Sequence, residues 1–152
     1  MRRYGEEIER GRRYTFRPGV YLILPRSGKL LLTHQMEPEP EFQLPGGGID
    51  PGESVFEALH RECMEETGWR VSNPRRLCAY RRFTFMPEYD MWAEKISHIY
   101  VATPVSEKGP PTEAGHSVHW FDPVDAVSFI ASSGDSAVLE RYLKGEFGPF
   151  RL

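Results

Sequence analysis

Three glutamates, Glu62, Glu65 and Glu66, stand at spacings i, i+3 and i+4. On a helix that places three carboxylates on one face. Like charges at these spacings oppose helix formation by about 0.2–0.5 kcal/mol per pair. Nothing basic stands where it would neutralise all three, because the adjacent Arg61 also has Glu53 and Glu57 within reach. A hard divalent cation would resolve the repulsion. Oxygen-only ligation suits Mg²⁺, Mn²⁺ or Ca²⁺ rather than zinc, which prefers His and Cys. For three glutamates alone, a solvated acidic face is the plain alternative. Just upstream, Gly46, Gly47, Gly48 and Gly52 put four glycines into seven residues running toward a helix start. Such a backbone can approach a bulky anion closely, although alone it would also serve as a tight turn. Acidic face and glycine segment together describe a phosphate-and-cation site.

Those carboxylates need a helix with firm ends. Ser54 can cap it and Glu57, three residues on, can complete a capping box. Gly68 follows Thr67 where a left-handed residue is wanted. Val55, Leu59 and Cys63 recur every fourth residue and Phe56 widens their face, so the spacing predicts a helix over 54–67 with that stripe on a sheet. Apolar runs at 20–24 and 30–33 around Pro25-Arg26-Ser27-Gly28-Lys29 predict a hairpin. Residues 33–41 and 104–115 are proline-bearing and polar, hence loops. Strands are predicted over 76–85, 94–102 and 118–121, and closing helices over 123–130 and 136–144, the second ended by Gly145. This interleaving favours a mixed α/β layer architecture.

A chain of 152 residues predicts one domain over 1–152. With 39% hydrophobic and 27% charged residues, the signature of disorder is absent. A formal charge of −3 excludes a broadly basic nucleic-acid surface. The longest aliphatic-aromatic run, at 20–24, is far below the roughly twenty residues of a membrane span. Residues 1–13 lack the apolar stretch of a secretory signal and are expected to be a flexible or peripheral segment. Cys63 and Cys78 are too few for a disulfide framework. They read as reduced, buried thiols of a cytoplasmic protein.

From 47 to 69 the chain reads Gly47, five residues, Glu53, seven residues, then Arg61-Glu62-Cys63-Met64-Glu65-Glu66-Thr67-Gly68-Trp69. This resembles the Nudix box, the signature of Nudix hydrolases, with every fixed Gly, Glu and Arg in place. Cys63 and Trp69 occupy apolar positions where aliphatic residues are commoner, a departure that touches packing. The resemblance implies an α/β fold of the Nudix type, an α/β/α sandwich with a mixed central sheet. It implies that Glu62, Glu65 and Glu66 ligate Mg²⁺ or Mn²⁺, with a backbone carbonyl of the glycine segment, Gly47 in particular, as a further ligand. Arg61 and Glu53 would pair to hold the glycine loop, Gly46 to Gly48, against the helix. The reaction implied is hydrolysis of a diphosphate linkage in a nucleoside diphosphate derivative: a nucleoside triphosphate, a dinucleoside polyphosphate or a nucleotide sugar. The general base would be Glu62 inside the box or Glu113 in the later loop. A rival reading is a Nudix-fold module that senses a nucleotide or RNA 5′ end without cleaving it. The intact acidic set favours the enzyme.

The rest of the substrate is less legible. Arg70, Arg75, Arg76, Arg81 and Arg82 fall within thirteen residues that contain no acid. Strand alternation sends Arg81 and Arg82 to opposite faces, so at most one faces the site; Arg81 is taken as the substrate-binding candidate. Tyr80, Phe83, Phe85, Tyr89 and Trp92 could stack on a base, or fill the core as strand aromatics more often do. His98 and His119 read as core or surface residues. The expected partner is a small-molecule nucleotide, with no membrane; a homodimer is left open.

Overall fold

In the computed structural model, which describes residues 1–149, the strands divide between two sheets. The elements in chain order are β1 (Arg2–Gly5), β2 (Thr15–Ile23), β3 (Pro25–Arg26), β4 (Lys29–Gln35), β5 (Glu41–Gln43), β6 (Gly46–Gly48), α1 (Val55–Thr67), β7 (Trp69–Met86), β8 (Met91–Glu107), β9 (His116–Phe121), α2 (Pro123–Phe129) and α3 (Ser133–Leu143). One sheet runs β1-β7-β8-β2-β6; the other joins β3, β4, β5 and β9. The first is mixed, with β2 parallel to β8 but antiparallel to β6.

The predicted hairpin is only partly formed. Pro25 and Arg26 pair with β4, but β2 leaves that partnership and lies between β8 and β6. Val20, Leu22 and Ile23 of β2 are all buried, as a strand apolar on both faces is in a sheet interior. The strands predicted at 76–85 and 94–102 grow into the long pair β7 and β8, with irregular register near Arg70, Ser72 and Arg76. The glycine segment is not a loop: Gly46–Gly48 is an edge strand against residues 19–21 of β2. Within the N-terminal segment, β1 adds a parallel edge strand to β7.

The sheets are covered on both sides. Leu59, Ala58 and Cys63 of α1 pack with Val20, Leu22, Leu24, Leu31, Val71 and Tyr100. On the opposite side Ala126 of α2 and Val138, Leu139 and Tyr142 of α3 pack with Ile23, Leu30, Leu32, Tyr80 and Ile99. Two separate cores flanking sheet layers make the α/β/α sandwich. Phe56 does not join the α1 stripe; it is half exposed and meets Tyr100 edge-on. Both cysteines are free, Cys63 buried and Cys78 half-buried. Among the described residues no helix is long and apolar enough to cross a membrane.

Candidate active site

The ends of α1 are built as its residues require. The Glu57 N–H donates to Ser54 Oγ at 3.1 Å. Gly68 takes a left-handed conformation and its N–H caps the Met64 carbonyl. About two turns before that end, Arg61 ties the acidic face to the segment before the helix. Its Nε and Nη2 donate to the two Glu53 carboxylate oxygens at 2.6 and 2.8 Å, the bidentate geometry that makes such pairs strong. Nη2 also donates to the Gly48 carbonyl at 3.0 Å. The Glu53 carboxylate in turn accepts from the Asp50 N–H. The Arg61 guanidinium, first, and the Asp50 N–H together lower the pKa of Glu53 to about 2.

The remaining guanidinium nitrogen reaches the acidic face. Arg61 Nη1 donates to Glu62 at 2.9 Å and to Glu65 at 3.3 Å. Glu66 is buried beneath the glycine strand, where its Oε1 accepts the Gly46 N–H at 2.8 Å. Burial, foremost, lifts the Glu66 pKa to about 8, with Glu62, Glu113 and Glu65 adding repulsion. Burial also raises Glu62. Gly47 could not be any other residue without displacing Glu62: a Cβ there would lie 2.6 Å from the Glu62 carboxyl carbon.

Glu113 comes to the same place from far away in the chain. Its N–H and that of Thr112 donate to the Glu65 carbonyl at 2.8 and 2.9 Å, which docks the loop on the last turn of α1. That loop also leads to His116, whose Nδ1 is buried, lacks a hydrogen-bond partner among the described residues and stands 3.4 Å from Glu66 Oε2. Sequence reading did not find His116; its only signal is its place three residues after Glu113.

A hard divalent cation fits this donor set. The groups are carboxylates without a competing thiolate, two of them are pushed toward protonation by burial and mutual repulsion, and a bound cation would relieve both effects. In the arrangement described, Arg61 occupies the space between Glu62 and Glu65, and among the described residues no three acidic, His or Cys side chains already close on one point.

A cleft of about 290 Å³ opens beside the glycine strand. Its lining includes Gly46, Gly47, Gly48 and Glu66 at one end and Arg82, Phe85 and Tyr89 elsewhere. Arg81 is not in that lining; it points to the other face, 3.8 Å from Glu94. Tyr80 and Phe83 are core, as strand aromatics tend to be, and Trp92 lies under the Arg12 guanidinium. His119 bonds Ser117 and packs on Phe42.

A family model described as NUDIX domain matches residues 15–142. A Bacillus subtilis protein provisionally named 8-oxo-dGTP diphosphatase is 33% identical over 79 residues, 52% of this chain and 53% of that protein. An RNA pyrophosphohydrolase of Helicobacter pylori is 40% identical over 58 residues, 35% of this chain and 37% of that one. The matched segment thus spans about half or less of these curated relatives. Among solved structures, a NUDIX hydrolase from Nitrosomonas europaea superposes with a TM-score of 0.72 at 19% identity, covering 90% of this chain and 94% of that one. That likeness is one of fold.

Proposed function

The chain belongs to the Nudix family, and from that premise we propose that it is a pyrophosphohydrolase that uses Mg²⁺ or Mn²⁺ to cleave a diphosphate linkage in a nucleoside diphosphate derivative. The observation that carries this reading is the single network joining Glu53, Arg61, Glu62, Glu65 and the Gly48 carbonyl, with Glu66 fastened to Gly46 beside it. Glu62, Glu65 and Glu66 would hold the cation, with the Gly47 carbonyl as a further candidate ligand. A bound divalent cation supplies charge neutralisation at phosphoryl oxygens and acidifies a water. Glu53 and Arg61 act as positioning residues that fix α1 against the glycine strand.

The diphosphate would lie along Gly46 to Gly48, where the absence of side chains lets phosphoryl groups approach. Water would attack phosphorus, its proton passing to a carboxylate as the P–O bond to the leaving phosphate breaks. Glu62, held against Gly47, is the preferred base, and Glu113, docked on the end of α1, is the other candidate. The names of the relatives support this reaction class and leave nucleoside triphosphates and RNA 5′ ends both within it.

Phosphate and pyrophosphate release over a nucleotide panel, with Mg²⁺ and with chelator, tests the proposal. Turnover of at least one nucleoside diphosphate derivative only when Mg²⁺ or Mn²⁺ is present is expected. Clear binding with no turnover on any member would instead favour a sensing module.

A further inference from the structure

Three cations stand side by side across the first sheet. In the register of the strands Arg17 of β2 is opposite Lys95 of β8, and Lys95 is opposite Arg82 of β7. All three line the cleft. Like charges placed directly across neighbouring strands repel, and little here offsets them. Among the described residues none of the three has a carboxylate within ion-pair distance. Lys95 Nζ donates to the Tyr21 hydroxyl at 3.2 Å, and the Arg17 guanidinium lies 4.8 Å from the Tyr89 ring centre. Asp135 attracts Lys95 and Arg82 through space, but it is itself buried and takes its short hydrogen bond, 2.5 Å, from Tyr80. Of the acids in the cleft, Glu41 spends one oxygen on the Gln35 and Gln43 amides, and Glu88 is exposed.

This row is set apart from the acidic helix. Val20 is opposite Gly47, so Lys95 lies two strands across and three residues along from Gly47. With strand spacings near 4.8 Å and a rise near 3.3 Å, their Cα atoms are about 14 Å apart. A diphosphate at the glycine strand would meet its counter-charge on the α1 side. A substrate charged only there would leave the row unmatched.

We propose that Arg17, Lys95 and Arg82 form a second anion site, which takes a phosphate carried by the nucleoside moiety away from the scissile diphosphate. The inference rests on the catalytic assignment above for the identity of the first phosphate site. Arginine forks and a lysine ammonium are suited to phosphate oxygens, and Tyr89 and Phe85 in the same cleft offer faces for the intervening base. The phosphate has two sources: a monoester on a small nucleotide, or the first phosphodiester of a nucleic-acid 5′ end.

Calorimetric titration in chelator separates this site from catalysis, since nothing is cleaved. The probes are the nucleoside 5′-monophosphates of the four common bases, their 3′,5′-bisphosphates, and 5′-phosphorylated dinucleotides. At least one bisphosphate is expected to bind ten-fold or more tightly than its 5′-monophosphate in the natural protein and in Arg81→Gln, which lies outside the cleft. The preference should fall below about two-fold in Lys95→Met and Arg82→Gln, and shrink in Arg17→Gln, which tests the row at a half-exposed position where folding is least at risk. A dinucleotide that matches the bisphosphate assigns the phosphodiester source; one that binds no better than the monophosphate assigns the monoester. No bisphosphate binding at millimolar concentration, no preference in the natural protein, or a preference that survives all three substitutions would overturn the proposal. A protein that hydrolyses nothing but keeps the preference would sink only the catalytic assignment.

Discussion

Glu66 answers to two requirements with one carboxylate. One oxygen holds the Gly46 N–H and the other faces His116, in surroundings dry enough to raise its pKa to about 8. Glu66→Gln keeps an amide oxygen for Gly46 and removes a group that burial disfavours in its charged form. Its melting temperature in chelator should therefore hold or rise, while kcat at saturating Mg²⁺ falls by orders of magnitude; unchanged activity would remove Glu66 from the cation site. The two base candidates separate at the same scale. If Glu62 takes the proton, Glu62→Gln should depress kcat strongly even at saturating Mg²⁺, and Glu113→Gln only weakly. A several-hundredfold loss in Glu113→Gln, with Glu62→Gln rescued by excess Mg²⁺, reverses the assignment. The box residues were legible because a helix fixes which of them share a face. His116, Arg17 and Lys95 were not, because strand register and loop docking decide their neighbours. Lys95 meets Arg17 across 78 positions of sequence, beyond the reach of any local pattern.

At the scale of elements, the junction between α1 and β6 depends on Arg61, which holds Glu53, the Gly48 carbonyl and two carboxylates of its own helix. Glu53→Gln and Arg61→Ala should each lower stability and activity. The double variant should lose less than the sum, since the second substitution removes a partner already unpaired; additive losses in a denaturation cycle would show that the pair carries no coupling. Arg61→Ala also releases Glu62 and Glu65 to repel each other, so its loss should exceed that of Glu53→Gln. The pair has a pH signature. Glu53 has its pKa lowered from about 4.5 to about 2 by Arg61 and the Asp50 N–H, so the folded state favours the ionised form. Its contribution is complete above pH about 4.5 and is lost as pH falls toward about 2. Denaturation of the natural protein and Glu53→Gln should differ by a constant amount above that window and converge within it. A gap independent of pH down to about 2 would mean that ionised Glu53 contributes nothing. The ends of α1 were legible because Ser54 and Gly68 do local work. The glycine segment was misread as a loop because an edge strand of bare glycines lacks the β-branched signal of a strand; tertiary pairing with β2, and the need for room beside Glu62, put it there.

For the molecule as a whole, the alternation of strands and helices pointed to the layers, whereas the split into two sheets was hidden. Residues 20–24 and 30–33 look alike in sequence, yet β2 joins one sheet and β4 the other. Both runs are buried on both faces, against α1 on one side and α2 and α3 on the other, so burial does not distinguish them; their partners do, β8 and β6 for β2 but β3, β5 and β9 for β4. The same layering would tie the proposed cation site to global stability. Glu66 and the apolar stripe of Leu59 and Cys63 are on one helix, so Glu66 meets the Gly46 N–H only while α1 is packed on the sheet. An ion that binds the folded state alone stabilises it by RT ln(1 + [L]/Kd), about 2.7 kcal/mol at one hundred times Kd. For a chain of this length 1 kcal/mol moves the melting temperature by about 2–4 °C, so saturating Mg²⁺ should raise it by about 5–11 °C over chelator at constant ionic strength. Glu66→Gln should remove most of that rise, and Glu65→Gln should do the same although Glu65 is the more exposed of the two. Neither variant should start from a melting temperature in chelator below that of the natural protein, which separates loss of the ion from loss of the fold. A Mg²⁺-induced rise of equal size in all three proteins would place the ion somewhere other than the acidic face of α1.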